Sequence, residues 1–269
     1  MNLRTSIALI VILATARPWP ARAQETTSAA PRESANLLGS LTSDLVYTPV
    51  TPCRVFDSRL SQGGPGPIPA NTQRNVVGTF PVGMEPFGVA FDGTNIWVAN
   101  SGSNNVTKLL AGTGAVVGTF PVGLGPIGVA FDGANIWVTN YYSNRVTKLL
   151  ASTGATVGTF LVGAGPYALA FDGTNIWVAN ADSDNVTKLL AGTGAVLGTF
   201  AVGTSPGGIA FDGAHIWVSN YGSHDVTKLL AETGAVVGTF PVGANPYGVA
   251  YDGANIWVTN STSGTVSKR

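Results

Sequence analysis

One cysteine, Cys53, stands in the 269 residues, so no internal disulfide can brace the fold and packing must do that work. A lone thiol of this kind reads as buried and inert rather than reactive. Only two histidines occur, His215 and His224, and a zinc site needs three or four converging ligands. Charge is scarce too: 14 basic residues balance 14 acidic ones, and together they make up 10% of the chain. No basic stretch is available to follow a nucleic-acid backbone, which argues against nucleic acid as a partner. The chain has no G-x-S-x-G, P-loop or C-x-x-C motif. Its one notable apolar run, Ile7 to Ala16, is too short to span a bilayer.

What is abundant is glycine, with 35 residues, and proline, with 16, beside a hydrophobic share of 45%. Such a composition belongs to a turn-rich globular protein. Residues 1–23 read as a secretory signal: Arg4 gives the positive start, Ile7 to Ala16 the apolar stretch, and Ala21-Arg22-Ala23 a small-x-small cleavage site. Export is therefore expected, to the periplasm or beyond. Removing Arg4, Arg17 and Arg22 leaves 11 basic against 14 acidic residues, a net charge of −3. Residues 24–46 read as a flexible linker, and 47–76 as an extended Pro/Gly-rich segment containing PCRVFDSR.

From Val77 onward a period of forty organises everything. Gly-Thr-Phe recurs at Gly78, Gly118, Gly158, Gly198 and Gly238, and Trp97, Trp137, Trp177, Trp217 and Trp257 keep the same beat. Each unit holds four short β-like runs. In the first these are a (Phe87 to Phe91), b (Ile96 to Asn100), c (Val106 to Leu110) and d (Val116 to Val122), separated by turn residues. Four strands per forty residues predict an all-β fold, a five-bladed β-propeller over 77–269. Strand b is apolar at both parities, as expected where both faces of a blade are covered by neighbours. Closure is expected through pairing of the first d strand, Val77 to Val82, with the last c strand, which would leave no open edge. The alternative is a fragment of a six- or seven-bladed propeller.

The motifs Trp-Val-Thr-Asn (137–140, 257–260), Trp-Val-Ala-Asn (97–100, 177–180) and Trp-Val-Ser-Asn (217–220), with P-x-G-V-A-F-D-G before the first of them and S-x-x-V-T-K-L after, resemble YVTN-type, NHL-like propeller repeats. That resemblance covers 77–269 and implies an exported binding-type propeller of mostly unassigned function. A weaker likeness is to streptogramin (virginiamycin B) lyases, whose blades carry D-G-x-L-W-F-T-E. Here Asn100, Asn140, Asn180, Asn220 and Asn260 stand at the glutamate position. The metal-binding His and Glu set of that family has no counterpart, so the resemblance does not carry lyase activity over. PCRVFDSR resembles a P-C-R-x-x-D-T-R element of some exported bacterial proteins.

The five units also differ among themselves, and in two places. The b–c loops read SGSNN, YYSNR, ADSDN, YGSHD and STSGT, and the d–a connections MEPF, LGPI, AGPY, TSPG and ANPY. Antiparallel order puts both loop types at one mouth, the natural place for binding. The candidate binding residues there are Met84, Glu85, Tyr141, Tyr142, Arg145, Tyr167, Asp182, Asp184, Tyr221, His224, Asp225 and Tyr247. Tyrosines suit a contact surface because they bring area and a hydroxyl at modest entropy cost.

His224, beside Asp225 and one blade from Asp182 and Asp184, is the better placed histidine. Even so, it lacks the converging partners that acid–base or zinc chemistry requires. His215 replaces the asparagine of its four sister turns and reads as a polar substitute. The aspartates of the five Asp-Gly turns read as turn formers, and Lys108, Lys148, Lys188, Lys228 and Lys268 as solvated or snorkelling stems. The expectation is a monomeric propeller without catalysis, cofactor or metal, binding a small molecule, glycan or protein at one mouth. The alternatives are a streptogramin lyase-like metal-dependent enzyme and a structural or adhesive envelope protein.

Overall fold

A computed structural model of the chain describes residues 78–269 and the backbone of Ile7–Ala8. The linker, the Pro/Gly-rich segment with PCRVFDSR, Cys53 and the rest of the signal lie outside the described residues. Ile7–Ala8 (β1) pairs antiparallel with the strand Pro126–Phe131.

The forty-residue units become antiparallel sheets. Blade 1 is β2 (Pro86–Phe91), β3 (Asn95–Asn100), β4 (Asn105–Leu110) and β5 (Val116–Pro121). Blade 2 is β6 (Pro126–Phe131), β7 (Asn135–Asn140), β8 (Arg145–Leu150) and β9 (Thr156–Leu161). Blade 3 is β10 (Pro166–Phe171), β11 (Asn175–Asn180), β12 (Asn185–Leu190) and β13 (Val196–Ala201). Blade 4 is β14 (Pro206–Phe211), β15 (His215–Asn220), β16 (Asp225–Leu230) and β17 (Val236–Pro241). Blade 5 is β18 (Pro246–Tyr251), β19 (Ile256–Asn260) and β20 (Thr265–Lys268). Strand order is sequential, a to d in blades 1 to 4 and a to c in blade 5. The fold is an all-β, five-bladed propeller.

The turns have a shared cause. In the a–b turn of blade 2, Asp132 Oδ1 accepts from the backbone N–H groups of Ala134 and Asn135, while Oδ2 accepts from the Trp137 indole at 2.8 Å. One carboxylate thus shapes the turn and fixes the blade's largest side chain. Burial opposes ionisation of Asp92 and Asp212, yet the indole and the turn N–H groups outweigh it and hold both below the usual carboxylate range. Asp252, outside the core, is lowered first by the Trp257 indole.

The core lies between blades. Trp97 packs with Ile136, Val138 and Leu149 of blade 2, and Trp137 and Trp177 repeat the arrangement one blade further on. Ile and Val of strand b thus face the preceding blade and Trp the following one. This two-sided burial explains why strand b is not alternating. Each fully buried Ile, Val or Leu contributes about 1.5–3 kcal/mol.

Three of the five lysines differ from the expectation of solvated or snorkelling stems, while Lys268 is exposed as expected. Lys108, Lys148 and Lys188 are 4–6% exposed. Each ammonium lies about 5 Å over the tryptophan of its own blade. Each also donates to carbonyls of the next blade's c–d turn: Lys108 to Ala151, Lys148 to Ala191 and Lys188 to Ala231, all at 2.7 Å. Four carbons of stem are long enough to cross the joint, and the turn carbonyls offer the charge a better partner than water reached by snorkelling.

The seam between blades 5 and 1 is where the structure departs from expected closure. The fifth sheet carries three strands, and residues 78–82 form no strand, so the expected ladder to β20 is not made among the described residues. Residues 78–85 nevertheless sit on blade 1 as a d strand sits on the blade that follows it. A Cβ on Gly114 would strike the Phe80 ring, just as one on Gly154 would strike Phe120. Met84 N–H donates to Ser103 Oγ, as Leu124 N–H does to Ser143. Trp257 is 39% exposed, against 0–7% for the other four repeat tryptophans. Near-identical repeats impose near-identical joints, so any mismatch with a closed circle collects at this one place.

Candidate functional site

Both variable loop types converge on one cavity of about 760 Å³. Its wall combines d–a residues such as Glu85, Pro86 and Ser205 with the b–c residues Ser101, Tyr141, Tyr142, Asp182 and Tyr221. The second position of strand a completes it with Phe87, Ile127, Tyr167, Gly207 and Tyr247.

Backbone bonds bind the two loop types together. Ser101 N–H donates to the Glu85 carbonyl and Tyr141 N–H to Gly125, and the pattern recurs in all five blades. A second tie links two columns of residues held at positive φ. Gly125 N–H donates to Asn104 Oδ1, Gly165 to Asn144 Oδ1, Ser205 to Asp184 Oδ1 and Asn245 to His224 Nδ1. The acceptors Asn104, Asn144, Asp184 and His224 have φ of 53–61°, a region in which asparagine, aspartate and histidine are favoured among residues other than glycine.

Of the twelve expected binding residues, the structure brings seven to the cavity: Glu85, Tyr141, Tyr142, Tyr167, Asp182, Tyr221 and Tyr247. Met84 is on the same rim, and its carbonyl accepts from Gly102 N–H. Arg145 is exposed at the start of β8. Asp225 Oδ1 accepts from the buried Asn220 side chain at 2.6 Å. Asp184 and His224 are the loop acceptors just described. His224 therefore does the work of the asparagines in its column, and His215 does the same at the other end of β15, with Nδ1 at 3.2 Å from Asp212 Oδ2.

This assignment predicts that His224→Asn leaves stability within about 0.5 kcal/mol. His224→Ala, which loses the acceptor and places alanine at positive φ, should cost about 1–2 kcal/mol. Urea unfolding of the two variants checks this, and equal losses would refute the connector role.

Phe87 and Ile127 were missed by the sequence reading. They share a repeat column with Tyr167, Gly207 and Tyr247, and variation in that column was the available signal; apolar residues in strand a look like core. Tyr167 and Tyr247 are set from behind by neighbouring strands b. Thr139 Oγ1 donates to the Tyr167 carbonyl and Ser219 Oγ to the Tyr247 carbonyl, each at 2.7 Å. Gly128 and Gly208 allow this approach, since a Cβ on either would lie 2.5 or 2.1 Å from those same carbonyl oxygens.

The rings form an edge-to-face chain. Tyr142 meets Tyr141, Tyr141 meets Tyr167, and Tyr167 meets Tyr247 and Phe87, while Tyr247 meets Tyr221; centroids are 5.2–6.4 Å apart and planes 78–87° from parallel. Tyr141 Oη donates to Asp182 Oδ1 at 2.8 Å, and the Tyr167 and Tyr247 hydroxyls bond to each other. The Asp182 bond raises the Tyr141 pKa and burial raises that of Tyr247, so both remain neutral phenols at ordinary pH. Among the described residues no group of three or more His, Cys, Asp or Glu side chains is placed to hold a metal ion.

No family model matches the chain. No curated protein matches it. Solved structures do. Hydrazine synthase from Kuenenia stuttgartiensis is similar with a TM-score of 0.60 at 24% identity, over 69% of this chain and 59% of that one. A functionally unknown protein from Desulfotomaculum acetoxidans gives 0.60 at 15%, over 69% of each chain. A streptogramin B lyase gives 0.58 at 19%, over 68% of each. The match thus spans less than two thirds of the hydrazine synthase chain. At such identities the likeness is one of fold, that of a β-propeller.

Proposed function

We propose that this chain is an exported propeller of the YVTN type that binds a ligand at the b–c and d–a mouth and performs no catalysis. One observation carries the reading: residues that vary between otherwise uniform repeats meet at a single aromatic-lined cavity. Loops on a rigid scaffold, together with a concave and largely preformed pocket, are the physical requirements of a binding site. A signal-like leader supports export.

The test is a glycan, peptide and small-molecule array probed with the protein and with a Tyr167→Ala/Tyr247→Ala variant. Hits should weaken at least tenfold in the variant. Hits that survive unchanged would place binding elsewhere.

The fold likeness to a streptogramin B lyase favours a second reading, a metal-dependent propeller enzyme. Stoichiometric divalent metal in the purified protein, lost on His224→Ala, would support it over the first.

A further inference from the structure

The chemistry of the mouth narrows its ligand. Glu85 and Asp182 both line the cavity, and among the described residues no lysine, arginine or histidine does. A site of that composition disfavours anions and draws cations.

Glu85 is unusual in a second way. It holds φ of 51° at a turn position where blades 2 and 3 carry Gly125 and Gly165, both at 62°, and blades 4 and 5 the smaller Ser205 and Asn245 at 52° and 53°. A glutamate there bears backbone strain that the sister glycines avoid. Neither a hydrogen bond nor an ion pair satisfies its carboxylate among the described residues.

The aromatic wall points the same way. Three tyrosine hydroxyls are engaged within the wall, Tyr141 with Asp182 and Tyr167 with Tyr247. These three offer an occupant ring surface, whose faces carry negative electrostatic potential. A weakly hydrated organic cation needs ring faces and a nearby carboxylate.

We propose that the mouth binds an alkylated ammonium group, held against Tyr141, Tyr167 and Tyr247 and neutralised by Glu85 and Asp182. This rests on the binding reading above and specifies its ligand class. Contact with the rings supplies affinity, and the two carboxylates supply the preference for charge.

Titration calorimetry of the full chain with choline and with 3,3-dimethylbutan-1-ol, its uncharged analogue of the same shape, tests the proposal. Choline should bind saturably and at least tenfold more tightly than the alcohol. Glu85→Gln and Asp182→Asn should each weaken choline several-fold without moving the alcohol. Glu85→Gly should lose the same preference while melting no lower than the parent, because it relieves the strained turn.

Absence of saturable choline binding, or a choline-to-alcohol ratio near one, overturns the proposal, as does a ratio untouched by either carboxylate variant. If a neutral array ligand binds instead and Tyr167→Ala abolishes it, the cation falls and the binding mouth stands. If Tyr167→Ala disturbs no ligand at all, both fall.

Discussion

Replacing Trp177 by alanine is expected to destabilise the protein by about 3–5 kcal/mol, the range for deleting a large aromatic from a closed core. Trp177 is fully buried, its ring tilted against Phe200 at 5.7 Å and covered by Ile216, Val218 and Leu229 of the next blade. Its indole N–H also donates to Asp172 at 2.7 Å, so the substitution leaves a turn carboxylate without one of its donors. Trp257→Ala removes the same side chain from the fifth repeat and should cost less than half as much. The indole bond to Asp252 is present there, but 39% of Trp257 is exposed and it belongs to none of the inter-blade clusters among the described residues. Guanidinium unfolding of the two variants gives the comparison. Equal costs would mean that blade 5 is covered as fully as blade 3, and that the seam is sealed in solution.

Strand positions were legible in the sequence because two signals coincide in every repeat. Asp-Gly marks the a–b turn, and the Ile-Trp-Val run marks a strand covered on both faces. The observed strands start within one residue of those expectations. The shared mouth was legible too, since it follows from antiparallel order alone. What could not be read was side-chain reach between blades.

A lysine at the centre of a c strand looks like a solvent-facing residue until the next blade's turn is placed above it. The same limit hid the partners of His224, twenty-one residues away in sequence and adjacent in space. Phe87 and Ile127 were passed over for a different reason: their column varies and includes Tyr167 and Tyr247, but an apolar residue at the start of strand a looks like core. The seam eluded the sequence for another reason. Counting strands shows that an edge has a possible partner, whereas pairing depends on the summed rotation of four joints.

Those inter-blade lysines provide the other large effect. Lys148→Met keeps most of the stem and removes the charge, so it isolates what the ammonium contributes to the joint between blades 2 and 3. The variant loses bonds to the Ala191 and Gly192 carbonyls at 2.7 and 3.2 Å, together with the cation placed 5.1 Å over Trp137. Bonds to a charged donor are worth about 1.5–3 kcal/mol, and the ring contact about 1–2 when desolvated. Relief of the ammonium's own desolvation offsets part of this. A net loss of about 2 kcal/mol is expected. Lys268→Met is the internal control: Lys268 lies 5.4 Å over Trp257 but is exposed and has no carbonyl partner among the described residues. Its replacement should change stability by less than about 0.5 kcal/mol, the range of surface substitutions. If Lys148→Met proved neutral, desolvation would equal everything the ammonium gains. The blades would then be held by the apolar joints and the remaining inter-blade hydrogen bonds, and the lysine column would set register between neighbours without adding to stability.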